Sequence, residues 1–326
     1  TFKGLLGRSQ WIYVGRKIPN VFNFYAFFFR NLKNICAVTV HFNTSFSIVP
    51  YLVKFYIYYI IRGKKRVSWL MNNFRNDYSD FGSKEIYQEI EKLFDHKISG
   101  YGTDEISNQA RDLILREIGR DADIEFVSGG TATNILATTF GLRPYEAVLS
   151  ASTGHITHHE TGSIEATGHK VVTLKTSDGK LKADEIRNFI DDQPGEIDIK
   201  IKVVYISQTT EVGTVYSIDE IKEIYEVCQE KGLYLYIDGA RIAHAMAANS
   251  SKLSDYAKYS HIFSIGGTKN GAIFGEALVI LDENLKKDFR YYLKQRGAMM
   301  AKSFLIGLSF KAVSYTHLTL PTKRIV

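Results

Sequence analysis

The stretch that decides the fold is YLYIDGARIAHA, residues 234–245, followed by HIFSIGGTKNGA, residues 261–272. In each part, a short apolar run rich in β-branched and aromatic residues predicts a buried strand. The first run delivers Asp238 at its end, and the second delivers Lys269 after two glycines. Because groups that follow parallel strands meet at one edge of an α/β sheet, these runs predict one carboxylate and one lysine in a shared site.

Strands alternate with helices on both sides of this stretch. Further strands are predicted at residues 123–130, 147–152, 170–175, 202–208 and 276–281. Helices are predicted at residues 84–94, 104–119, 131–142, 158–169, 182–191, 217–232 and 284–293. This alternation predicts an α/β fold with a doubly wound, largely parallel sheet flanked by helices.

The basic charge of the chain is confined to its first fifth. Residues 1–70 contain 11 of the 41 Lys and Arg residues and no Asp or Glu, so the other 30 basic residues face all 35 acidic ones. Because the positive charge is confined to this segment, the net charge of +6 does not indicate a nucleic-acid partner, and we expect none.

The two cysteines of the chain, Cys36 and Cys228, make no disulfide framework and favour a reducing compartment. We therefore expect a cytoplasmic protein.

Both ends of the chain differ from its middle. Residues 1–70 are crowded with aromatics and are predicted to be a leader that is not native folded protein, with the large domain spanning residues 71–310. A membrane anchor is the alternative, but the apolar run 51–61 is shorter than the roughly 20 residues that a span needs. Residues 311–326 resemble a translated sequencing adaptor and are expected to be an artefactual tail.

The stretch SGGTATN, residues 128–134, joins a predicted strand to a predicted helix. Backbone N–H groups at Gly130 and Thr131, the Thr131 hydroxyl and the positive end of the helix could bind a phosphate there. The stretch matches neither the dinucleotide fingerprint nor the P-loop. An ordinary strand-to-helix turn is an equal alternative.

The stretch STGHITHHETG, residues 152–162, invites a metal-site interpretation through His155, His158, His159 and Glu160. Its spacing does not fit the HExxH zinc motif and no cysteine lies nearby, so we predict no metal. His155, placed just after a predicted strand, could instead lay its flat ring on a planar cofactor.

Pyridoxal 5'-phosphate is a cofactor that uses one acid and one lysine. The acid keeps the pyridine nitrogen protonated, and the lysine forms a Schiff base with the aldehyde. Asp238 and Lys269 suit these roles, and the planar fork of Arg241 suits a substrate carboxylate. Asp238 could alternatively cap a helix, and Lys269 could be a solvated surface residue. The surrounding glycines favour the functional interpretation, because they would leave room for a lysine that must move.

These motifs together resemble the low-specificity L-threonine aldolase family of fold-type I pyridoxal phosphate enzymes. SGGTATN, GHITHHETG, YIDGARI and GGTKNG are similar to its motifs, as are FRNDYSD (74–80) and YGTD (101–104), and the resemblance covers residues 73–310. It implies an aspartate aminotransferase-like fold whose small C-terminal domain, expected after residue 310, is missing. It also implies a homodimer or homotetramer with sites built across a subunit interface.

The resemblance also implies roles for individual residues. Gly130 and Thr131 would bind the cofactor phosphate, His155 would stack on the ring, Asp238 would meet the pyridine nitrogen, Lys269 would form the Schiff base and Arg241 would bind the substrate carboxylate. Two positions depart from the family pattern. Asn76 stands where some members have a carboxylate-binding Ser, and Glu211 stands where some have a His near the substrate hydroxyl.

The reaction implied is retro-aldol cleavage of L-threonine or L-allo-threonine to glycine and acetaldehyde, with His155 or Glu211 as the base. A β-eliminating lyase or an aminotransferase is an alternative, because the same cofactor residues serve those chemistries. A second alternative is an inactive fragment tethered to a membrane by its aromatic leader.

Overall fold

The computed structural model describes residues 76–313, so the predictions for the leader and for residues 314–326 lie outside the described part. A seven-stranded sheet with the order β1-β7-β6-β5-β4-β2-β3 forms its centre. The strands are β1 (Asp123–Val127), β2 (Glu146–Ala151), β3 (Val171–Leu174), β4 (Lys200–Ser207), β5 (Tyr234–Asp238), β6 (Ile262–Gly266) and β7 (Glu276–Ile280). Only β7 runs against its neighbours, β1 and β6, which confirms the predicted, largely parallel α/β sheet.

Helices cover both faces of this sheet. They are α1 (Lys84–Glu91), α2 (Glu105–Ile118), α3 (Gly130–Thr139), α4 (His155–His158), α5 (Ala183–Asp191), α6 (Ile218–Lys231), α7 (Ile242–Asn249), α8 (Leu253–Lys258), α9 (Glu283–Lys286), α10 (Phe289–Gln295) and α11 (Phe304–Val313). The apolar sides of α2, α6, α8 and α11 share one buried cluster with the sheet, and those of α3 and α10 share the other. The sheet is therefore buried on both faces, as its continuous apolar strands require.

Alternation along β5 decides which side chains face the site. Leu235 and Ile237 lie in the cluster under α2, α6 and α8, whereas Tyr236 lies in the cluster under α3. Since successive side chains of a strand point to opposite faces, Asp238 belongs to the same face as Tyr236. The strand therefore presents its carboxylate beneath the beginning of α3.

Two predicted helices are interrupted. In place of one helix over residues 158–169, the chain forms α4, a turn, and a short 3-10 helix at Glu165–Thr167. Thr161 and Gly162 adopt positive φ angles of 55° and 70°, which an α-helix cannot contain. The predicted helix over residues 284–293 is likewise divided into α9 and α10 at Asp288, whose φ is 62°.

The last described helix crosses the boundary predicted at Phe310. Helix α11 continues to Val313, and Ala312 and Val313 pack against Ile86 of α1. Residues 311–313 therefore belong to the folded part of the chain. Among residues 76–313, no helix has the length and apolarity that crossing a membrane requires.

Candidate active site

Two neighbouring strands place Asp238 and Lys269 at the same edge of the sheet. Strand β5 ends at Asp238, and its parallel neighbour β6 ends at Gly266, three residues before Lys269. Asp238 is only 6% exposed, whereas Lys269 is half-buried. The structure thus brings together the acid and the lysine that the sequence predicts for one site.

The Asp238 carboxylate is held by three donors. Its Oδ2 accepts hydrogen bonds from the Tyr205 hydroxyl at 2.7 Å and from Asn134 Nδ2 at 3.1 Å. Its Oδ1 accepts one from the backbone N–H of Ala240 at 3.0 Å. The N-cap of α7 is Arg241, so Asp238 does not occupy the cap position that was its structural alternative. A buried carboxylate with fixed donors is suited to hold a partner cation, because charge inside a protein is costly unless it is paired.

Two tyrosines line this carboxylate and remain neutral. Burial, reinforced by the negative charge of Asp238, raises the pKa of both Tyr205 and Tyr236 well above its usual value. Both hydroxyls therefore act as donors: Tyr205 to Asp238, and Tyr236 to Asn134 Oδ1 at 2.7 Å.

Asn134 joins Asp238 to a second buried carboxylate. Its Nδ2 donates to Glu160 Oε1 at 2.6 Å as well as to Asp238 Oδ2. Two neighbouring carboxylates repel each other, and an amide group that donates to both of them offsets part of this repulsion. Sequence reasoning missed this role of Asn134, although the residue closes the SGGTATN stretch and lies one helical turn after Gly130, where α3 begins.

Glu160 fixes the ring of His155. Its side chain is fully buried, and its Oε1 lies 2.9 Å from His155 Nδ1 while Oε2 accepts from Ser163 Oγ at 2.7 Å. The hydrogen bond to Glu160 raises the pKa of His155, although burial opposes the shift. The charge of Asp238 raises the pKa of His155 further and that of Lys269 lowers it, so the ring lies near both predicted cofactor residues. The sequence interpretation considered Glu160 only as a metal ligand.

Glu211 supports the backbone of His155. Its Oε1 accepts hydrogen bonds from the His155 N–H at 2.9 Å and from Ser207 Oγ at 2.6 Å. Burial is the main cause that raises the pKa of Glu211. The structure therefore brings both candidate bases into one cluster, and the assignment of a base stays a prediction.

The SGGTATN stretch forms an open cradle at the start of α3. Gly129 is the N-cap residue and Gly130 begins the helix, and a Cβ atom at either position would meet nothing within 4 Å. Thr131 is exposed beside them. The first N–H groups of a helix have no partner inside it and attract anions. Free space, donors and a hydroxyl thus coincide where the sequence predicts a phosphate.

The turn that carries Lys269 is built by close approach of backbone segments. A Cβ atom at Gly266 would lie 2.3 Å from the Ala240 oxygen, and one at Gly267 would lie 2.4 Å from the Gly275 oxygen. Asn270 Nδ2 donates to the Gly266 oxygen at 2.7 Å. These two glycines therefore have a packing reason, which differs from the predicted need to leave room for a moving lysine.

Arg241 faces a carboxylate that sequence reasoning missed. Its Nε lies 2.5 Å from Asp77 Oδ2, and its Nη2 lies 3.3 Å from Asp77 Oδ1. The neighbouring Asn76, predicted to bind the substrate carboxylate, instead accepts from the Tyr78 N–H at 3.2 Å and from Ser79 Oγ at 2.6 Å. Asn76 thus stabilises a local turn, and a contact between it and a substrate stays a prediction.

The histidine-rich stretch forms no metal centre in the described residues. His158 and His159 are exposed, while the ring of His155 is engaged by Glu160. Across residues 76–313, no group of three or more His, Cys, Asp or Glu side chains could hold a metal ion.

Replacement of Glu160 by glutamine should lower the pKa of His155. The variant removes the negative charge beside Nδ1, so the imidazolium loses its main stabilising partner. An NMR titration of the His155 ring in the 326-residue variant chain should show a midpoint at lower pH than in the wild type. Glu165→Gln, an equal change at an exposed position of the same segment, should leave the midpoint unchanged. An unaltered midpoint in Glu160→Gln would contradict the pairing.

Comparison with known proteins supports this description of the fold. Residues 78–319 match the family model of the beta-eliminating lyases. The chain belongs to this beta-eliminating lyase family.

Two relatives show which members of the family the chain is similar to. The chain is 36% identical over 207 residues to a low specificity L-threonine aldolase of Pseudomonas aeruginosa, and 34% identical over 223 residues to another from a Pseudomonas strain. These matches cover 62% and 67% of this chain, and 60% and 64% of the relatives, so the chain spans less than two thirds of their length. The predicted resemblance to that group is confirmed.

Solved structures agree with the fold. A threonine aldolase of Leishmania major is similar with a TM-score of 0.73 and 45% identity, over 74% of this chain and 72% of that chain. An aspartate aminotransferase of Rhizobium meliloti is similar with a TM-score of 0.59 at 16% identity, over 72% and 61% of the two chains, and shows the fold alone. The predicted aspartate aminotransferase-like fold is therefore confirmed.

Proposed function

We propose that the chain contains the large domain of a pyridoxal 5'-phosphate-dependent aldehyde-lyase, which cleaves L-threonine or L-allo-threonine to glycine and acetaldehyde. The observation that carries this proposal is the placement of buried Asp238 and of Lys269 after the ends of two adjacent parallel strands. The names of the Pseudomonas and Leishmania relatives support the substrate class.

The residues present fit this cofactor. The open cradle at Gly129 and Gly130 offers helix N–H groups to a phosphate, and Asp238 offers a buried negative charge to a protonated ring nitrogen. Lys269 offers an amine to the aldehyde, and the ring of His155, which is fixed by Glu160, lies near both Asp238 and Lys269. When bound, the cofactor supplies an electron sink for the charge that develops when the Cα–Cβ bond of the substrate breaks.

The side chains of this site then have distinct tasks. Arg241 binds the substrate carboxylate through its planar fork, which orients the bond to be broken. Asp238 keeps its partner nitrogen charged, because a nearby anion favours the protonated form. Both Glu211 and His155 could receive the proton of the β-hydroxyl group. We favour Glu211, because its raised pKa makes it a better acceptor while the raised pKa of His155 favours the imidazolium.

Substrate assays distinguish this reaction from its nearest alternative. The 326-residue chain, supplied with pyridoxal 5'-phosphate and L-threonine, is expected to release glycine and acetaldehyde in equal amounts. The name of the matched family favours β-elimination as the second candidate, which would release ammonia and a keto acid instead. Ammonia without glycine from the wild-type chain would contradict the aldolase proposal.

Assembly and compartment belong to the same proposal. A homodimer or homotetramer is supported by the resemblance to the aldolases, and exposure of Thr131 at the phosphate cradle is compatible with a neighbouring subunit there. A cytoplasmic location is supported by the buried, free thiol of Cys228.

A further inference from the structure

We propose that Asp77 is a positioning residue, which fixes the guanidinium of Arg241 so that its remaining edge can bind the carboxylate of an amino acid. The inference rests on the proposed function, since Arg241 is there the carboxylate-binding residue. It adds an acidic partner of Arg241 within the chain itself, which lies 164 residues away along the sequence.

The geometry of the pair determines which edge of Arg241 is used. Nε contacts one oxygen of Asp77 and Nη2 contacts the other, so the carboxylate lies against the side edge of the guanidinium. A guanidinium can bind carboxylates along its side edge and also along its end edge, between Nη1 and Nη2. Occupation of the side edge therefore leaves the end edge for a second carboxylate.

A short strap places Asp77 at this position. The strap, residues 76–83, precedes α1 and ends against the turn that carries Lys269. The N–H of Ser83 donates to the Gly271 oxygen at 2.9 Å, and a Cβ atom at Gly82, whose φ is 80°, would lie 3.1 Å from the Ala272 carbonyl carbon. The end of the strap thus packs against the turn that carries Lys269, and the beginning of the strap places Asp77 beside Arg241.

Asp77 also balances the positive charges of the site. Burial alone would raise the pKa of Asp77, but the ion pair with Arg241 and the charge of Lys269 lower it. The lowered pKa favours the ionised form of Asp77, which is the form that pairs with Arg241. Exposed ion pairs contribute little on their own, yet this pair is bidentate, and its side chains are only 32% and 37% exposed. We therefore expect the ion pair to affect the orientation of the Arg241 side chain more than the stability of the fold.

The test compares Asp77→Asn with Asp80→Asn in the 326-residue chain loaded with cofactor. Asp80 is an exposed acid of the same strap, so its replacement makes the same charge change away from Arg241. Asp77→Asn should raise the KM for L-threonine about tenfold, equivalent to one lost charged contact, with a smaller change in kcat. Asp77→Glu should restore part of the affinity, and Asp80→Asn should match the wild type.

Calorimetry with glycine and glycinamide provides a readout that does not depend on turnover. The wild type should prefer glycine, because only glycine offers a carboxylate to Arg241, and Asp77→Asn should lose most of this preference. Equal weakening of both ligands, an equal effect of Asp80→Asn, or tighter glycine binding in Asp77→Asn would overturn the proposal. Tighter binding would mean that Asp77 competes with the substrate for Arg241.

The two proposals can fail separately. If the wild type binds glycine better than glycinamide but releases no acetaldehyde from threonine, the aldolase proposal fails while Asp77 is still tested by calorimetry. If the wild type makes acetaldehyde and Asp77→Asn keeps both its KM and its ligand preference, the role of Asp77 is refuted and the proposed function stands.

Discussion

Replacement of Lys269 by alanine should abolish covalent attachment of pyridoxal 5'-phosphate and reduce threonine cleavage by more than about a thousand-fold. The amine of Lys269 is the group proposed to bond to the aldehyde, and it lies at the end of a strand adjacent to that of Asp238. An alanine leaves no nucleophile at this position, while the phosphate cradle and Asp238 remain. The visible absorbance of the lysine-bound cofactor should therefore be lost, although weaker, non-covalent binding can persist.

A matched lysine controls for the loss of charge. Lys287 is exposed at the C-cap of α9, which follows the antiparallel strand β7 and so lies at the opposite edge of the sheet. Lys287→Ala should retain both the absorbance and the activity of the wild type. Persistence of the wild-type absorbance in Lys269→Ala would show that another residue holds the aldehyde.

Replacement of Asp238 by asparagine should lower kcat by about 10²–10³-fold, the range observed when one preorganised electrostatic contact is removed from an active site. Asparagine lacks the negative charge that favours a protonated ring nitrogen. It also has only one acceptor oxygen, whereas the hydroxyl of Tyr205, the amide of Asn134 and the N–H of Ala240 all donate to the carboxylate. One of these buried donors would lose its partner, so cofactor affinity should fall as well.

The appropriate comparison for this variant is Asp282→Asn. Asp282 accepts a hydrogen bond from the N–H of Asn284 at the beginning of α9. It follows the end of β7 that lies opposite the edge of the sheet with Asp238 and Lys269. Steady-state kinetics and cofactor titration should show no change in Asp282→Asn. If Asp238→Asn kept its kcat and its cofactor affinity, the proposed role of this acid would be wrong.

The positions of Asp238 and Lys269 could be predicted because they depend on local patterns. Each follows a short apolar strand, and parallel neighbours place such residues at one edge. The SGGTATN turn was predictable for the same reason, since glycines between a strand and a helix mark an N-terminus that can bind anions. Local pattern therefore gives the residues that end strands and begin helices.

The residues that hold those groups could not be predicted in this way. Asn134 meets Asp238 across 104 positions, and Asp77 meets Arg241 across 164. Such contacts depend on the path of the whole chain. Asn134 and Asp77 stand in the stretches SGGTATN and FRNDYSD, but neither a hydrophobic period nor a motif shows which distant residue each one meets. Glu160 was visible as an acid in a histidine-rich stretch, but its partner depends on how the chain turns at Thr161 and Gly162, where helix periodicity fails.

The central claim is that Lys269 binds the aldehyde of a cofactor whose ring nitrogen meets Asp238. Borohydride reduction of the cofactor-loaded, 326-residue chain, followed by peptide mass spectrometry, tests it most directly, because reduction makes the lysine–cofactor bond permanent. The account predicts one pyridoxyl group, located on Lys269. A pyridoxyl group on another lysine, or an unmodified Lys269 in a chain that binds the cofactor, would contradict it.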